Sequence, residues 1–563
     1  MSAGLLASAA LLALTLHALH AKRFWVRALL ALALGALVAS TLGYYRYYHA
    51  PLDAQTVVAA RHAWADVKPM LMRGLPLFVV GTVLLAALEL AVIAGGVGLV
   101  RRRRSVAVAV VLVLGVATTG SLNNAPAEFR TVAAAVALLR GAKGHADSQR
   151  SNLPELTSTR ARLPNVLFII TESVRASDSC LGRGCATSPE LDRLVPDRTT
   201  FQRARSISSY TAIALSGILT GQTQLKSRRE LARVPDLFDV AHAVRAQNGG
   251  YAIHYWSSQM AGVLERGALE TIADDVITAE TLLGHPLSDI EDAVEAILDR
   301  RVGDVCERQL RRSDRPEFIV VHLSGTHAPY AFDEKAAKFQ PFRRQVAWSG
   351  LSELHNAYLN SILEQDHTLG RCIGAYLNAT ANQPRAIVYT SDHGEAFGEH
   401  SAIHHGQNLY DEQIRVPFIV AGANGAFSAT ELQALEHNSL VPVTHLDILP
   451  TFLELWGVRD HLLLQSWASK LAGRSLLAPV APFTSLPISN CTELFPCPLN
   501  TWGMLGADKK LTAQSWDGNW RCLSLAGLEV ERSLGECADL EKAACRVFPR
   551  LPNGEVPRGC GRK

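Results

Sequence analysis

The chain has 563 residues, with 55 Lys and Arg against 52 Asp and Glu and a formal net charge of +3. That length exceeds what one hydrophobic core organises, so two or more units are expected, and so small a net charge argues against a nucleic-acid partner. Apolar residues make up 48% of the chain and charged ones 19%, with the apolar excess gathered at the front.

Four apolar runs open the chain: Leu5–Leu19, Ala28–Tyr44, Leu75–Val100 and Val106–Leu122. Each reads as a membrane span, the first being short for that role and the second and fourth near the lower limit. A cleaved signal peptide is the rival reading of the first run, but it lacks a basic start and a small-x-small site before Lys22. Lys22, Arg23 and Arg27 lie between the first two runs, and Arg101–Arg104 between the last two. Both short loops are therefore expected on the cytoplasmic side, with everything after the fourth run outside. Residues 1–122 read as a transmembrane helical bundle of about four helices.

Residues 123–164 read as an interfacial helix and linker. Pro126–Gly141 places Phe129, Val132, Val136 and Leu139 on one helical face, which either lies on the bilayer or packs on an external loop. Ala142–Pro164 is polar and punctuated, as a linker is.

From Asn165 the pattern changes to alternating strands and helices. Strands are expected at Asn165–Ile170, Tyr251–Trp256, Glu317–Leu323, Ala386–Thr390 and Val416–Ala421. Helices are expected at Pro189–Leu194, Ala212–Thr220, Pro235–Gln247, Ile290–Arg312 and Leu351–Leu377. Strand–helix alternation implies an α/β domain over residues 165–475 with a largely parallel sheet.

All ten cysteines follow residue 170. Cys180 and Cys185 are close enough to staple one loop, and six more crowd the tail. An even number in an external domain reads as disulfides, since the spacings 491/497 and 537/545 are too wide for paired zinc knuckles. Residues 476–563 form a Cys-rich extension, where disulfides are expected to replace a core that the polar tail lacks.

In an open α/β sheet, ligands gather at the carboxyl ends of strands. The first strand ends in Thr171-Glu172-Ser173, and the third in Ser324-Gly325-Thr326-His327. The run Tyr389-Thr390-Ser391-Asp392-His393-Gly394-Glu395 ends an apolar strand abruptly in an acid, an imidazole and a glycine. His404-His405 sits in the loop Ser401–Gln407. Oxygen and nitrogen donors from separate strands suit a catalytic zinc site better than a structural one, which would favour cysteine. A nucleophile is expected at a nearby helix start, where a metal-bound hydroxyl loses its proton more readily and the helix terminus favours a phosphoryl group. Ser208, Ser209 and Thr211 all qualify, and Thr211 also fits a plain helix cap.

The stretch from about Asn165 to Gly457 resembles the alkaline-phosphatase/sulfatase superfamily. More narrowly it is similar to the bacterial phosphoethanolamine transferases of the lipid A and mobile colistin-resistance type. Thr171-Glu172-Ser173-Val174-Arg175 resembles that family's Gly-Glu-Thr-x-Arg. Thr211-Ala212 matches its nucleophilic threonine before alanine, and Gly325-Thr326-His327-Ala328-Pro329 its Gly-x-His-Gly-Pro. Ser391–Glu395 is identical to its Ser-Asp-His-Gly-Glu, and His405-Gly406 matches its later His-Gly. The family usually has five spans, against four here. Ser257-Ser258-Gln259-Met260-Ala261-Gly262 lacks the Asp and Lys expected near the headgroup.

The resemblance implies a sulfatase-like α/β catalytic domain behind a transmembrane bundle, placed in the bacterial inner membrane as a multi-pass protein with its catalytic domain in the periplasm. It implies one or two Zn2+ ions, with Glu172, Thr211, Asp392 and His393 holding the principal one. His327 and His405 would hold a second or contact the transferred phosphate, acting with Thr211 in catalysis. The implied reaction moves phosphoethanolamine from a phospholipid donor, phosphatidylethanolamine, to an envelope lipid or glycan acceptor such as lipid A, through a covalent Thr211 intermediate. A membrane-embedded monomer is expected.

Three alternatives stand beside it. A phosphoglycerol transferase shares nearly the same parts. A sulfatase needs a Cys/Ser-x-Pro-x-Arg signature, which Cys497-Pro498-Leu499-Asn500 does not provide. A non-catalytic binding protein would lack ligands, and none is missing. Glu395 and His400 read as supporting groups, and His445 and Asp447 as holding the helix that covers the sheet. Glu89 reads as a polar partner inside the bundle, and Asn490-Cys491-Thr492 as a sequon relevant only in a eukaryotic secretory host.

Overall fold

Apolar runs without charged interruption are satisfied as strands covered on both faces, and the chain builds that arrangement. The computed structural model describes residues 24–48, 75–88, 90, 153–179, 184–223, 234–264, 269–287, 297–346, 348–406, 408–490, 501–514, 520–525 and 529–548. The chain divides into two units, residues 1–144 with 550–556 and residues 145–549 with 557–563.

In the first unit, helices run over Phe24–Tyr48 and 75–88, overlapping two of the expected spans. They approach closely at Gly35, where a Cβ would lie 2.7 Å from the Thr82 carbonyl. Among the described residues no helix is long and apolar enough to cross a membrane. The expected spans Leu5–Leu19 and Val106–Leu122, Glu89 and the helix expected at Pro126–Gly141 lie outside the described residues.

The second unit is built on a seven-stranded sheet. Its strands are β1 (Asn165–Thr171), β2 (Thr199–Thr200), β3 (Ala252–Ser257), β4 (Asp275–Ile277), β5 (Glu317–Leu323), β6 (Arg385–Ser391) and β7 (Phe418–Ala423), in the order β2-β7-β6-β1-β5-β3-β4. The five strands from β6 to β4 are parallel, while β7 and β2 are antiparallel additions at one edge. The strand expected at Val416 starts later, at Phe418, because Pro417 has no N–H to give a ladder.

Alternation along β1 splits the core in two. Phe168 and Ile170 face one layer, where Phe168 lies 5.4 Å from Phe452 and Phe318 lies 5.3 Å from Trp456, ring to ring. Leu167 and Ile169 face the other, against helices α2 (Leu298–Gln309) and α3 (Leu351–Ala379) through Val302, Val305, Leu369 and Ile373. Truncating a ring such as Phe168 to Ala would cost about 3–5 kcal/mol. A third helix that matters for the site, α1, covers Thr211–Thr220.

Two elements differ from the sequence reading. The helix expected over Pro235–Gln247 covers Leu237–Ala243, opened by a reciprocal cap between Asp236 and Asp239. It gives way at Val244–Arg245 to a strand paired in parallel with Leu156–Thr157, so tertiary pairing overrides helix periodicity. Residues 153–164, read as the end of a linker, lie against this unit, with Leu156 and Leu163 buried and the Thr159 N–H donating to the Gly457 carbonyl at 2.9 Å.

The tail carries a core of its own, contrary to expectation. Strands β8 (Leu486–Ser489), β9 (Thr501–Leu505), β10 (Lys509–Gln514), β11 (Arg521–Ser524) and β12 (Glu531–Arg532) form an antiparallel meander. Trp502, Met504, Leu511, Leu523 and Leu540 are buried within it. Alternating apolar residues on short strands suffice once a helix, Ala538–Val547, covers one face. A disulfide joins Cys522 to Cys537 there. A second, Cys306–Cys372, joins α2 to α3 across 66 residues of sequence. No free cysteine occurs among the described residues, and Cys180, Cys491, Cys497 and Cys560 lie outside them.

Candidate active site

Register places the site. Thr171 of β1 pairs with Leu323 of β5 and with Ser391 of β6. The next residues, Glu172, Ser324 and Asp392, therefore leave the sheet at one level. Ser173 adopts a left-handed φ of 56°, a costly conformation for a residue with a Cβ. It turns the chain so that the Ser173 N–H donates to Asp392 Oδ1 at 2.9 Å. The His393 N–H donates to the same oxygen at 2.7 Å. Gly394 then lets the backbone run close to the short helix Asp411–Ile414, since a Cβ there would lie 2.3 Å from the Glu412 carbonyl.

The structure brings Glu172, Thr211, Asp392 and His393 together. His393 Nε2 lies 3.3 Å from both Glu172 Oε1 and Asp392 Oδ2. Thr211 Oγ1 lies 3.1 Å from Glu172 Oε1 and 3.1 Å from His393 Nε2. His393 Nδ1 faces the Gly394 carbonyl at 2.9 Å, which turns Nε2 into the cluster. Glu172, Asp392 and His393 are fully buried.

Thr211 is the first residue of α1, and the capping position falls to Tyr210, which makes no side-chain cap. A plain capping role for Thr211 is thus not what the structure shows. The rival hydroxyls are engaged elsewhere. Ser208 Oγ donates to Asn490 at 2.8 Å, and Ser209 Oγ donates to the Asn408 carbonyl at 2.6 Å.

His327 and His405 complete the ring of groups. Ligating atoms of Glu172, His327 and His405 lie within 4.8 Å of one another, as do those of Glu172, Asp392 and His393. The His405 ring sits 4.3 Å from that of His393 and 5.3 Å from that of His327. Behind it, His405 Nδ1 meets Glu395 Oε1 at 3.2 Å. Burial opposes ionisation of Glu395, but His405 and His404 hold its carboxyl below the usual range. His404 turns away at a left-handed φ of 67° toward Tyr330. His400 stacks on Tyr410 at 3.6 Å and pairs with Glu412, apart from the cluster. Asp447 accepts from the Thr444 and Arg474 N–H groups at the start of the covering helix.

Sequence reasoning missed Gln259. The end of β3 runs level with Ser324, and Gln259 Nε2 donates to Glu172 Oε2 at 2.7 Å. The only available signal was its place just past a strand end, where the resemblance led to a search for Asp and Lys. It missed Asp299 as well, the first-turn acid of α2. Asp299 accepts from the Ser324 and Gly325 N–H groups at 3.1 and 3.0 Å and from Gln365 of α3 at 3.0 Å, bracing the loop that carries His327.

The donor set fits a divalent cation. Burial and the Glu172 charge push Asp392 well above the usual carboxylate range. Burial likewise opposes ionisation of Glu172, but the hydrogen bond and charge of His393 hold its carboxyl well below that range. Asp392 Oδ2 is buried without a hydrogen-bond partner, an arrangement that costs free energy unless something else satisfies it. Carboxylate oxygens and imidazole nitrogens are what zinc accepts.

Residues 164–458 match the family model described as Sulfatase. Among curated proteins, phosphatidylethanolamine transferase Mcr-2 of Escherichia coli is 34% identical over 148 residues, covering 25% of this chain and 26% of that protein. Phosphoethanolamine transferase EptA of Helicobacter pylori is 34% identical over 265 residues, covering 45% and 47%. The chain thus spans about half or less of the length of these relatives. Among solved structures, the integral membrane protein lipooligosaccharide phosphoethanolamine transferase A of Neisseria meningitidis aligns over 82% of this chain and 89% of its own. Its TM-score is 0.52 at 17% identity, a likeness of fold. With a buried acid, acid–histidine pair and half-buried histidines at the carboxyl edge of a largely parallel sheet, and a family match over more than half its length, the chain belongs to the sulfatase family.

Proposed function

We propose that the chain is a zinc-dependent transferase that moves phosphoethanolamine from phosphatidylethanolamine to an envelope glycolipid or glycan such as lipid A. The observation that carries the reading is the Thr211 hydroxyl, 3.1 Å from both Glu172 and His393 at the start of a helix. Named transferases among the matched proteins support the headgroup, and the missing Cys/Ser-x-Pro-x-Arg signature disfavours sulfate ester hydrolysis.

Glu172, Asp392, His393 and Thr211 would hold the principal metal ion, and Glu172, His327 and His405 offer a place for a second. Bound there, Zn2+ would neutralise phosphate charge and lower the pKa of a hydroxyl beside it. The chain's own groups account for the rest. Glu172 and His393 hold the Thr211 oxygen at the amino terminus of α1, a position that favours an anionic phosphate. In the first half-reaction a bond forms from Thr211 Oγ to phosphorus, and the bond from phosphorus to the diacylglycerol oxygen breaks. The Thr211 proton ends on diacylglycerol, and His327 and His405 would carry it. In the second, the acceptor oxygen displaces Thr211 and its proton returns to the threonine. The apolar amino-terminal segments would tether this site to the bacterial inner membrane, where donor headgroups are concentrated, with the catalytic unit in the periplasm and the protein working as a monomer.

The test is peptide mass spectrometry across Thr211 after incubating the full chain in detergent with phosphatidylethanolamine. A phosphoethanolamine adduct on Thr211 is expected. An unmodified peptide from zinc-loaded protein would refute the covalent route with this donor.

A further inference from the structure

We infer that Asn490, delivered by the carboxy-terminal sheet from beyond the sulfatase match, is a positioning residue that sets Thr211 against His405. The inference rests on the reading of Thr211 as the nucleophile. Strand β8 ends with the Ser489 N–H donating to the Ile207 carbonyl at 3.1 Å, and the Asn490 N–H donates to Thr501 of β9 at 3.0 Å. These bonds aim the Asn490 side chain between two loops. Its Oδ1 accepts from Ser208 Oγ at 2.8 Å and from the Ser209 N–H at 2.9 Å. Its Nδ2 donates to Ser209 Oγ at 2.8 Å and faces the carbonyls of Gly406 at 3.1 Å and Asn408 at 3.3 Å.

Ser209 lies two residues before Thr211, and Gly406 follows His405 directly. One amide group therefore fastens the approach to the nucleophile onto the loop that bears the histidine. The chemistry requires a carboxamide, because only that group offers an acceptor on one arm and two donors on the other. Asp would face the Gly406 and Asn408 carbonyls with an oxygen, and Gln would overrun the gap by a methylene. Asn490 is fully buried and both its arms are bonded, so the sequon beginning at this residue has no accessible nitrogen to glycosylate.

The same sheet grips the loop a second time. The buried Lys510 ammonium of β10 contacts the Leu409 carbonyl and lies 3.3 Å from Asp411 and 2.5 Å from Glu529. Glu529 accepts from the Asp411 N–H at 2.6 Å, and Arg205 pairs with Asp411 from the other side at 2.6 Å. The tail is thus anchored to residues 404–412 at two points, and the Asn490 point reaches the nucleophile.

The experiment compares full-length protein with Asn490→Ala and Asn490→Asp by hydrogen–deuterium exchange and by kinetics on phosphatidylethanolamine. Asn490→Ala is expected to raise exchange at residues 206–213 and 403–412 together, leaving 386–393 unchanged. Asn490→Asp retains the acceptor arm and is expected to raise exchange at 403–412 alone. In both variants kcat should fall about 10- to 100-fold with KM within about twofold, the signature of lost orientation rather than lost binding. Wild-type exchange at 403–412 in Asn490→Asp overturns the proposal, as does an unchanged kcat in a variant whose loops have loosened. If Asn490→Ala fails to fold, Asn490→Asp decides the matter. If the wild-type protein turns over no phosphatidylethanolamine, the proposed function fails, while the exchange pattern still tests the link between the loops.

Discussion

Asp392→Asn separates what the buried acid contributes with a metal ion from what it costs without one. The variant keeps the volume, and its carbonyl oxygen goes on accepting from the Ser173 and His393 N–H groups. The new amide nitrogen takes the place of Oδ2, an oxygen buried without a hydrogen-bond partner and 3.3 Å from His393 Nε2. Relief of that oxygen should stabilise the metal-free protein by about 1–3 kcal/mol. With zinc at about a thousand times its dissociation constant, the wild type gains about 4 kcal/mol, most of which the variant forfeits with the ligand. For a unit of about 400 residues, an unfolding entropy near 2.1 cal/mol/K per residue makes 1 kcal/mol worth about 1 °C. Scanning calorimetry in chelator should therefore show Asp392→Asn melting about 1–3 °C above wild type. Excess zinc should raise the wild type by about 5 °C and reverse the order. A zinc-induced shift of wild-type size in the variant would remove Asp392 from the ligand set. A variant less stable than wild type in chelator would show that the orphaned oxygen costs nothing.

Gln259→Ala removes the 2.7 Å donor to Glu172 and should weaken zinc binding about 10- to 100-fold, read by competition with a chelating dye; an unchanged affinity would make the contact incidental. Opening the Cys306–Cys372 bridge with paired Ala substitutions frees a 66-residue loop and should cost about 4 kcal/mol on the chain-entropy estimate, measured in urea against wild type; a loss under about 1 kcal/mol would contradict it. Asp366 caps the N–H groups of Glu190 and Leu191, and burial pushes its carboxyl up to about 7. A carboxyl raised above its unfolded value contributes stability at low pH that is lost as pH rises through about 4 to 7. The stability of Asp366→Asn relative to wild type should therefore climb across that window by up to about 1.4 kcal/mol per pH unit, and a pH-independent difference in urea midpoints would refute the assignment.

The sequence by itself determined the parts of the molecule that depend on local pattern. Uninterrupted apolar runs mark β1, β5 and β6 as strands buried on both faces, and the abrupt polar residues after them mark the ends where Glu172, His327, Asp392 and His393 emerge. Those are short-range facts, because burial on both faces and a strand's end are written in consecutive residues. Even the helix Pro189–Leu194 could be read from its proline, acids and flanking turn. Only the tertiary structure decided which groups meet. That Asn490, 282 residues beyond Ser208, holds the Ser208 hydroxyl while the Thr211 hydroxyl faces Glu172 and His393 is a contact no local pattern contains. Gln259 and Asp299 became part of the site's surroundings through the register of β3 and the docking of α2, and Cys306 found Cys372 only because α2 packs on α3. The tail's core likewise escaped a sequence reading, since short strands with modest alternation bury apolar faces only when they pair with each other and with a covering helix. Hydrophobic periodicity is a property of neighbours along the chain, whereas hydrogen-bond partners and ligand sets are properties of neighbours in space. Long-range register, set by the whole sheet at once, is what turns the first into the second.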